Sequence, residues 1–352
     1  MHEAATGEGA FPDGRPARGR PAHPQLAPDA GPRGTPGGSR PNGGVPVITL
    51  RQVKSGDRVA LVAPASSFPA EELTAGVAEL ARLGLEAVYD ESIFDRDRFV
   101  AGAPAVRAQA IQKAWADPSI SALIAMRGGY GSAQLLPLLD PELLRRSRKA
   151  LIGYSDITAI LSFYQQHGLA AIHGPMIDRR LSQGPTAYDE SSFRRVVMSA
   201  EPAGELRPAA LEVLSPGVAS GTLLGGTITQ LVSSLGTPWA FAPQPGGVLF
   251  LEDVGERPYR IHRMLTQLVQ AGVFSGARAI VFGEFPGCDE PGGDPVIRDV
   301  LRDFTAGFAG PVLFGFPSGH TAGATWTLPF GVRAEISGSG SPAVIITEGA
   351  VS

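Results

Sequence analysis

Short apolar runs alternate with amphipathic stretches along most of this chain, beginning at Arg58. Val59 to Val62, Glu86 to Tyr89, Ile120 to Met126 and Lys149 to Gly153 read as strands. Between them, Ala70 to Leu83 and Pro104 to Trp115 carry apolar residues at helical spacing. Apolar strands separated by helices predict a parallel sheet covered on both faces, where neither side of a strand meets water. This run ends near His173-Gly174-Pro175. From Met176 to Ala219 the pattern turns polar and proline-interrupted, with one helix expected near Ser191 to Met198. A second unit begins at Gly221. It contains a Gly225-Gly226 turn into a helix through Leu235, a strand at Val248 to Leu251 and a helix from Tyr259 to Gln270. A strand at Ala279 to Phe282 and a helix near Val296 to Phe304 follow. Glycine-punctuated alternation from Thr325 to Thr347 predicts antiparallel strands at the end.

The expected fold class is therefore α/β in two domains. Residues 47–175 form a parallel-sheet domain, 176–219 an interdomain crossing, and 220–352 a mixed α/β domain ending in antiparallel strands. A length of 352 residues suits two cores of ordinary size. Of the 45 glycines and 31 prolines, a good part crowd into residues 1–46, a stretch too poor in apolar surface to offset its ordering entropy. It reads as a disordered leader. It has no apolar core of a secretory signal, and prolines break any amphipathic transit helix, so a soluble cytoplasmic protein is expected. A net charge of −4 favours neither nucleic acid nor a membrane surface as partner. The single cysteine, Cys288, excludes an internal disulfide framework and reads as a spare loop thiol.

Candidate chemistry centres on Lys149 to Thr158, KALIGYSDIT, where a strand stops and delivers Ser155 onto the start of a helix. A serine in such a turn points outward, and the following N–H groups are free to hold an oxyanion. The G-x-S-x-G elbow is incomplete, since Ile157 replaces the last glycine. A plain helix cap at Ser155 or Asp156 is the competing reading. A serine nucleophile needs a base. His320 stands in FPSGHTAG, a loop without helical or strand period, and ranks first, with His173 second. His2 and His23 lie in the leader, His167 ends a helix, and His262 sits inside one. Glu252 and Asp253 follow a buried strand, so one of them emerges where open α/β sheets place functional groups. Arg127-Gly-Gly-Tyr-Gly131 follows another strand and supplies a glycine turn whose N–H groups suit an oxyanion. It lacks the lysine and hydroxyl of a phosphate loop and the dinucleotide spacing.

In order along the chain, GDRVALVAPAS at Gly56, RGGYG at Arg127, LLPLLD at Leu135, IGYSDIT at Ile152, IHGP at Ile172, GGTITQL at Gly225, LEDVGE at Leu251 and PSGH at Pro317 together resemble the LD-carboxypeptidase family of serine peptidases. The resemblance implies a flavodoxin-like amino-terminal sheet, a mixed carboxy-terminal domain and a site in the cleft between them. It maps the nucleophile to Ser155, the acid to Glu252 and the base to His320, with the backbone N–H groups of Asp156 and Gly129 as oxyanion donors. It implies no metal and no cofactor, a homodimer, and a murein peptide substrate that loses its terminal D-alanine in cytoplasmic cell-wall recycling. Arg127 is the candidate for the substrate's terminal carboxylate, because its fork pairs a carboxylate in two bonds. A second branch of the family resembles microcin C self-immunity peptidases, which cut aminoacyl-nucleotide conjugates and commonly use a tryptophan in the crossing. Residues 176–219 hold only Tyr188 and Phe193 as aromatics, which favours the murein branch. The rival of another class is a peptide- or nucleotide-binding protein without turnover.

Overall fold

The computed structural model describes residues 47–352; the expected leader 1–46, with His2 and His23, lies outside them. Five strands and their helices follow the alternation. They are β1 (Arg58–Val62), α1 (Ala70–Arg82), β2 (Glu86–Val88), α2 (Pro104–Ala116), β3 (Ile120–Ala125), α3 (Pro141–Ser147), β4 (Ala150–Gly153), α4 (Thr158–Gln166) and β5 (Ala171–His173). Neighbouring pairs are all parallel, in the order β2-β1-β3-β4-β5. That is the flavodoxin-like order, and its direction of winding reverses between β1 and β3, where such sheets open a ligand crevice. All six residues of β3 are buried, as a strand covered on both faces requires.

The rest of the chain adds α5 (Glu190–Val197), β6 (Gly204–Leu206), β7 (Glu212–Ser215), β8 (Val218–Thr227), α6 (Ile228–Ser234), β9 (Gly247–Glu252) and α7 (Pro258–Gln270). Then come β10 (Ala279–Phe282), α8 (Ile297–Phe304), β11 (Val312–Phe314), β12 (Leu328–Phe330), β13 (Arg333–Ser337) and β14 (Ala343–Ile346). The second sheet runs β6-β14-β13-β8-β9-β10-β11-β7. Its centre, β8 to β11, is parallel and its flanks are antiparallel. Three features depart from the pattern-based expectation. β6 and β7 arise from the polar crossing. β12 pairs antiparallel with β5 and closes the edge of the first sheet. Gly225 and Gly226 are not a turn but part of β8, because no side chain fits there: a Cβ on Gly225 would lie 1.8 Å from the Phe250 carbonyl oxygen, and one on Gly226 2.6 Å from Thr158.

The two-residue period of the central strands sorts them between two packed layers. Val248 and Phe250 of β9, with Ala279 and Val281 of β10, join the large core that runs through the first sheet. Leu249, Leu251, Ile280 and Phe282 face outward onto Ile228 and Leu231 of α6, Ile261 and Leu265 of α7, and Leu301 of α8. Counting on by two from Phe250 reaches Glu252. The same period that buries Phe250 against the first sheet therefore aims Glu252 at the space between the sheets.

Candidate active site

The turn after β4 holds Ser155 at φ 62°, the left-handed region that a residue with a Cβ enters at a cost of about 1–3 kcal/mol. A short 3-10 turn, Ser155–Ile157, leads into α4, and neither has a side-chain cap. Capping therefore does not account for Ser155. Asp156 is buried and turned the other way: its carboxylate accepts the Ser132 N–H at 2.7 Å, tying the turn to the end of the glycine loop. Burial pushes the Asp156 carboxyl above the usual carboxylate range.

The glycine loop sits against that serine. A Cβ on Gly128 would fall 2.8 Å from Ser155 Cβ and 3.0 Å from its Oγ, so the approach needs glycine. Gly129, at φ 97°, packs on Ser66, whose hydroxyl accepts the Tyr130 N–H at 3.1 Å and donates to the Phe99 carbonyl at 2.8 Å. Ser66 follows β1 and the glycines follow β3, which places the loop at the point where the winding reverses. Among the described residues neither the Gly129 nor the Asp156 N–H has a hydrogen-bond acceptor.

Glu252 is 0% exposed, and its Oε2 accepts both the His320 ring Nδ1, at 2.8 Å, and the His320 backbone N–H, at 3.0 Å. Thr227 donates its hydroxyl to the other oxygen. Burial alone would raise the Glu252 carboxyl, yet the opposing influence of His320 holds it below its ordinary value. Burial likewise works against a charged His320, and the Glu252 charge and hydrogen bond outweigh it, leaving the imidazole above the ordinary histidine value. With Nδ1 engaged, Nε2 is the nitrogen left to take a proton. Asp253, the other acid, binds Thr229 N–H and its hydroxyl at 2.9 and 2.8 Å, and Val254 N–H, so it anchors the start of α6.

The Tyr154 ring meets the His320 ring edge-on at 5.1 Å, which brings the imidazole beside the residue preceding Ser155. Among the described residues no hydrogen bond joins Ser155 Oγ to His320. His173, the second-ranked base, is fully buried among Tyr154, Phe250 and Phe330, and neither ring nitrogen has a partner among the described residues. Burial pushes it down to about 4, so it stays neutral. A Cβ on Gly319 would lie 2.8 Å from both His173 Nε2 and Glu252 Cδ, which explains the glycine before His320. Arg127 pairs its Nε with Asp178 at 3.2 Å and donates to the Ser67 carbonyl at 3.1 Å, rather than standing open. Cys288 is buried, and its thiol is pushed up to about 12.

Two residues went unseen in the sequence. Arg180 donates to the carbonyls of Thr321 and Gly323, both at 2.9 Å, and Glu284 accepts the Ala322 N–H at 2.9 Å, so the His320 loop is held from both sides. Arg180 gave no signal because DRRLSQ reads as a solvated stretch, and its neighbour Arg179 is indeed exposed.

A buried acid thus orients an imidazole beside the residue that precedes Ser155, on a two-sheet α/β fold. The chain belongs to the LD-carboxypeptidase family, whose N-terminal domain matches residues 59–174 and whose C-terminal domain matches residues 220–336. The murein tetrapeptide carboxypeptidase of Pseudomonas aeruginosa is 33% identical over 290 residues, 80% of this chain and 94% of the relative. The crystal structure of muramoyltetrapeptide carboxypeptidase from Oxalobacter formigenes superposes with a TM-score of 0.73 at 30% identity, covering 84% of this chain and all of that one. The microcin C7 self-immunity protein MccF, in complex with aspartyl sulfamoyl adenosine, gives a TM-score of 0.80 at 26% identity, covering 87% of this chain and 100% of that one.

Proposed function

We propose that this carboxypeptidase is a serine enzyme that hydrolyses an L-to-D amide bond and releases the terminal D-alanine of a murein tetrapeptide. The observation that carries the reading is the 2.8 Å contact between buried Glu252 and the Nδ1 of His320, next to a serine in a strained turn. Ser155 Oγ attacks the scissile carbonyl while its proton passes to His320 Nε2. The oxyanion is held by the N–H groups of Asp156 and Gly129, each worth about 10²- to 10³-fold in rate. His320 then gives the proton to the departing D-alanine amine, and Ser155 is left acylated. Water, deprotonated by His320, hydrolyses the ester and restores the hydroxyl. In this mechanism the hydrogen bond from Ser155 to His320 closes when substrate binds, as catalytic contacts commonly do.

Among the described residues no helix is long and apolar enough to cross a membrane. We place the activity in the cytoplasm, in cell-wall recycling, and expect a homodimer. A second reading, cleavage of an aminoacyl-nucleotide conjugate, is favoured by the likeness to MccF; the crossing 176–219 supplies no tryptophan to stack on a base. Mass spectrometry of products from murein tetrapeptide, murein pentapeptide and an aminoacyl sulfamoyl nucleoside separates the two. Loss of one alanine from the tetrapeptide alone is expected. Cleavage of the nucleoside conjugate alone would reverse the choice, and no cleavage of any substrate would favour a binding protein.

A further inference from the structure

Arg180 lies in the crossing after β5, far in sequence from both Ser155 and His320, yet it touches the surroundings of each. Its Nη1 donates to the carbonyls of Gly323 at 2.9 Å and Ala187 at 3.4 Å. Its Nη2 donates to those of Thr321 at 2.9 Å and Gly319 at 3.4 Å. Its Nε donates to the Tyr154 hydroxyl at 3.3 Å, and the guanidinium lies 6.0 Å from the centre of that ring. The five N–H donors of an arginine are thereby all engaged, and among the described residues none goes to a carboxylate. Three of the acceptors, at 319, 321 and 323, alternate along the loop that carries His320. The fifth contact is the residue before Ser155.

We propose that Arg180 is a positioning residue that bolts the His320 loop to the serine turn, setting where the imidazole stands relative to the hydroxyl. The inference rests on the catalytic roles proposed above for Ser155 and His320. The loop it holds, Gly319-His-Thr-Ala-Gly323, is small, irregular and rich in glycine; Glu252 fixes the His320 ring and N–H, and Thr325 ties Gly319, but among the described residues only Arg180 links the loop's carbonyls to the serine turn. Glu284 restrains the opposite side through Thr321 and Ala322. Lysine cannot replace the bolt, because a point charge with three donors does not span alternate carbonyls in one plane. A role as receiver of the substrate carboxylate is a poor fit, since no N–H is left to offer.

Arg180 also acts on the base electrically. His320 is faced by Glu252 at the end of β9 and Asp253 just after it, by neutral His173 from β5, by Tyr154 from the serine turn and by Arg180 from the crossing. Glu252 and Asp253 favour the imidazolium, and Arg180 opposes it. Removing the guanidinium should therefore move the acidic limb of the kcat/KM profile to higher pH.

The test compares wild type, Arg180→Ala, Arg180→Lys and Ser155→Ala on murein tetrapeptide, together with the rate of Ser155 labelling by a fluorophosphonate. Expected for both arginine variants is a fall in kcat of about 10²-fold, the cost of a misplaced reacting group, with KM little changed. Labelling should slow in parallel, and added guanidinium ion should restore part of the rate in Arg180→Ala but not in Arg180→Lys. Unchanged kcat with raised KM would overturn the proposal and make Arg180 a substrate contact. Loss of kcat without slower labelling, without rescue and without a shifted pH limb would reduce it to a structural residue. Should Arg180→Ala not fold, Tyr154→Phe carries the test by deleting only the phenol acceptor: a severalfold fall in kcat at constant KM is expected, and an unaltered kcat overturns the idea. An active Ser155→Ala would instead sink the catalytic reading beneath it.

Discussion

Glu252 and His320 owe their pairing to a parity and a glycine. The two-residue period of β9 turns Glu252 inward with Phe250, and Gly319 leaves the room that the carboxylate and His173 fill. A buried carboxylate with an imidazole, a backbone N–H and a hydroxyl as partners has a fixed direction, and so does the ring it holds. The electrical consequence is measurable. Activity in the proposed mechanism needs neutral His320, whose proton is held more tightly than in a free imidazole, so the acidic limb of kcat/KM should lie above about pH 6.5 in the wild type. Glu252→Gln removes the charge that outweighs burial, and the limb should then fall below that value, with kcat down by about 10⁴-fold as the ring loses its orientation. A limb that stays put in Glu252→Gln would show that another group titrates.

At the scale of elements, the parts built from local pattern were legible. β1, β3, β4, β9 and β10 are buried runs, and α1, α2 and α7 keep apolar faces, so periodicity located them within a residue or two, whereas the short α3 went unread. The proposed triad positions were also readable, since each stands where a strand or a patterned stretch stops. What stayed hidden depends on distant partners. β6 and β7 have exposed positions and few residues, and they become strands by pairing with β14 and β11. Gly225 and Gly226 look like a turn in sequence, yet their task is to let β8 lie against β9 and the start of α4. Gly225→Ala should therefore destabilise the protein at the upper end of single-residue effects, about 3 kcal/mol or more, because its Cβ would enter the Phe250 backbone. Gly292→Ala, with nothing within 4 Å, is the control and should leave chemical denaturation nearly unchanged. Equal effects would mean that the close approach is not what requires glycine.

Over the whole molecule, the core does not stop between the sheets. The inner face of β9 and β10 packs into the same cluster as the first sheet, and β12 returns from the carboxy-terminal half to pair with β5 beside His173. The groups proposed for catalysis come from both halves, so their alignment depends on that shared core. Such continuity predicts one cooperative unfolding transition by calorimetry, with equal calorimetric and van't Hoff enthalpies. Two separated transitions would mean that the sheets melt independently. The contacts of Arg180 and the pairing of β12 with β5 are not revealed by a pattern reading, because each has meaning only once the two halves meet.

The central claim is that Ser155 attacks the substrate carbonyl. Its most direct test is the rate of D-alanine release from murein tetrapeptide by Ser155→Ala beside the wild type, with folding verified by circular dichroism. A loss on the order of 10⁶-fold in kcat is predicted. Release at near wild-type rate from the folded variant would contradict the account.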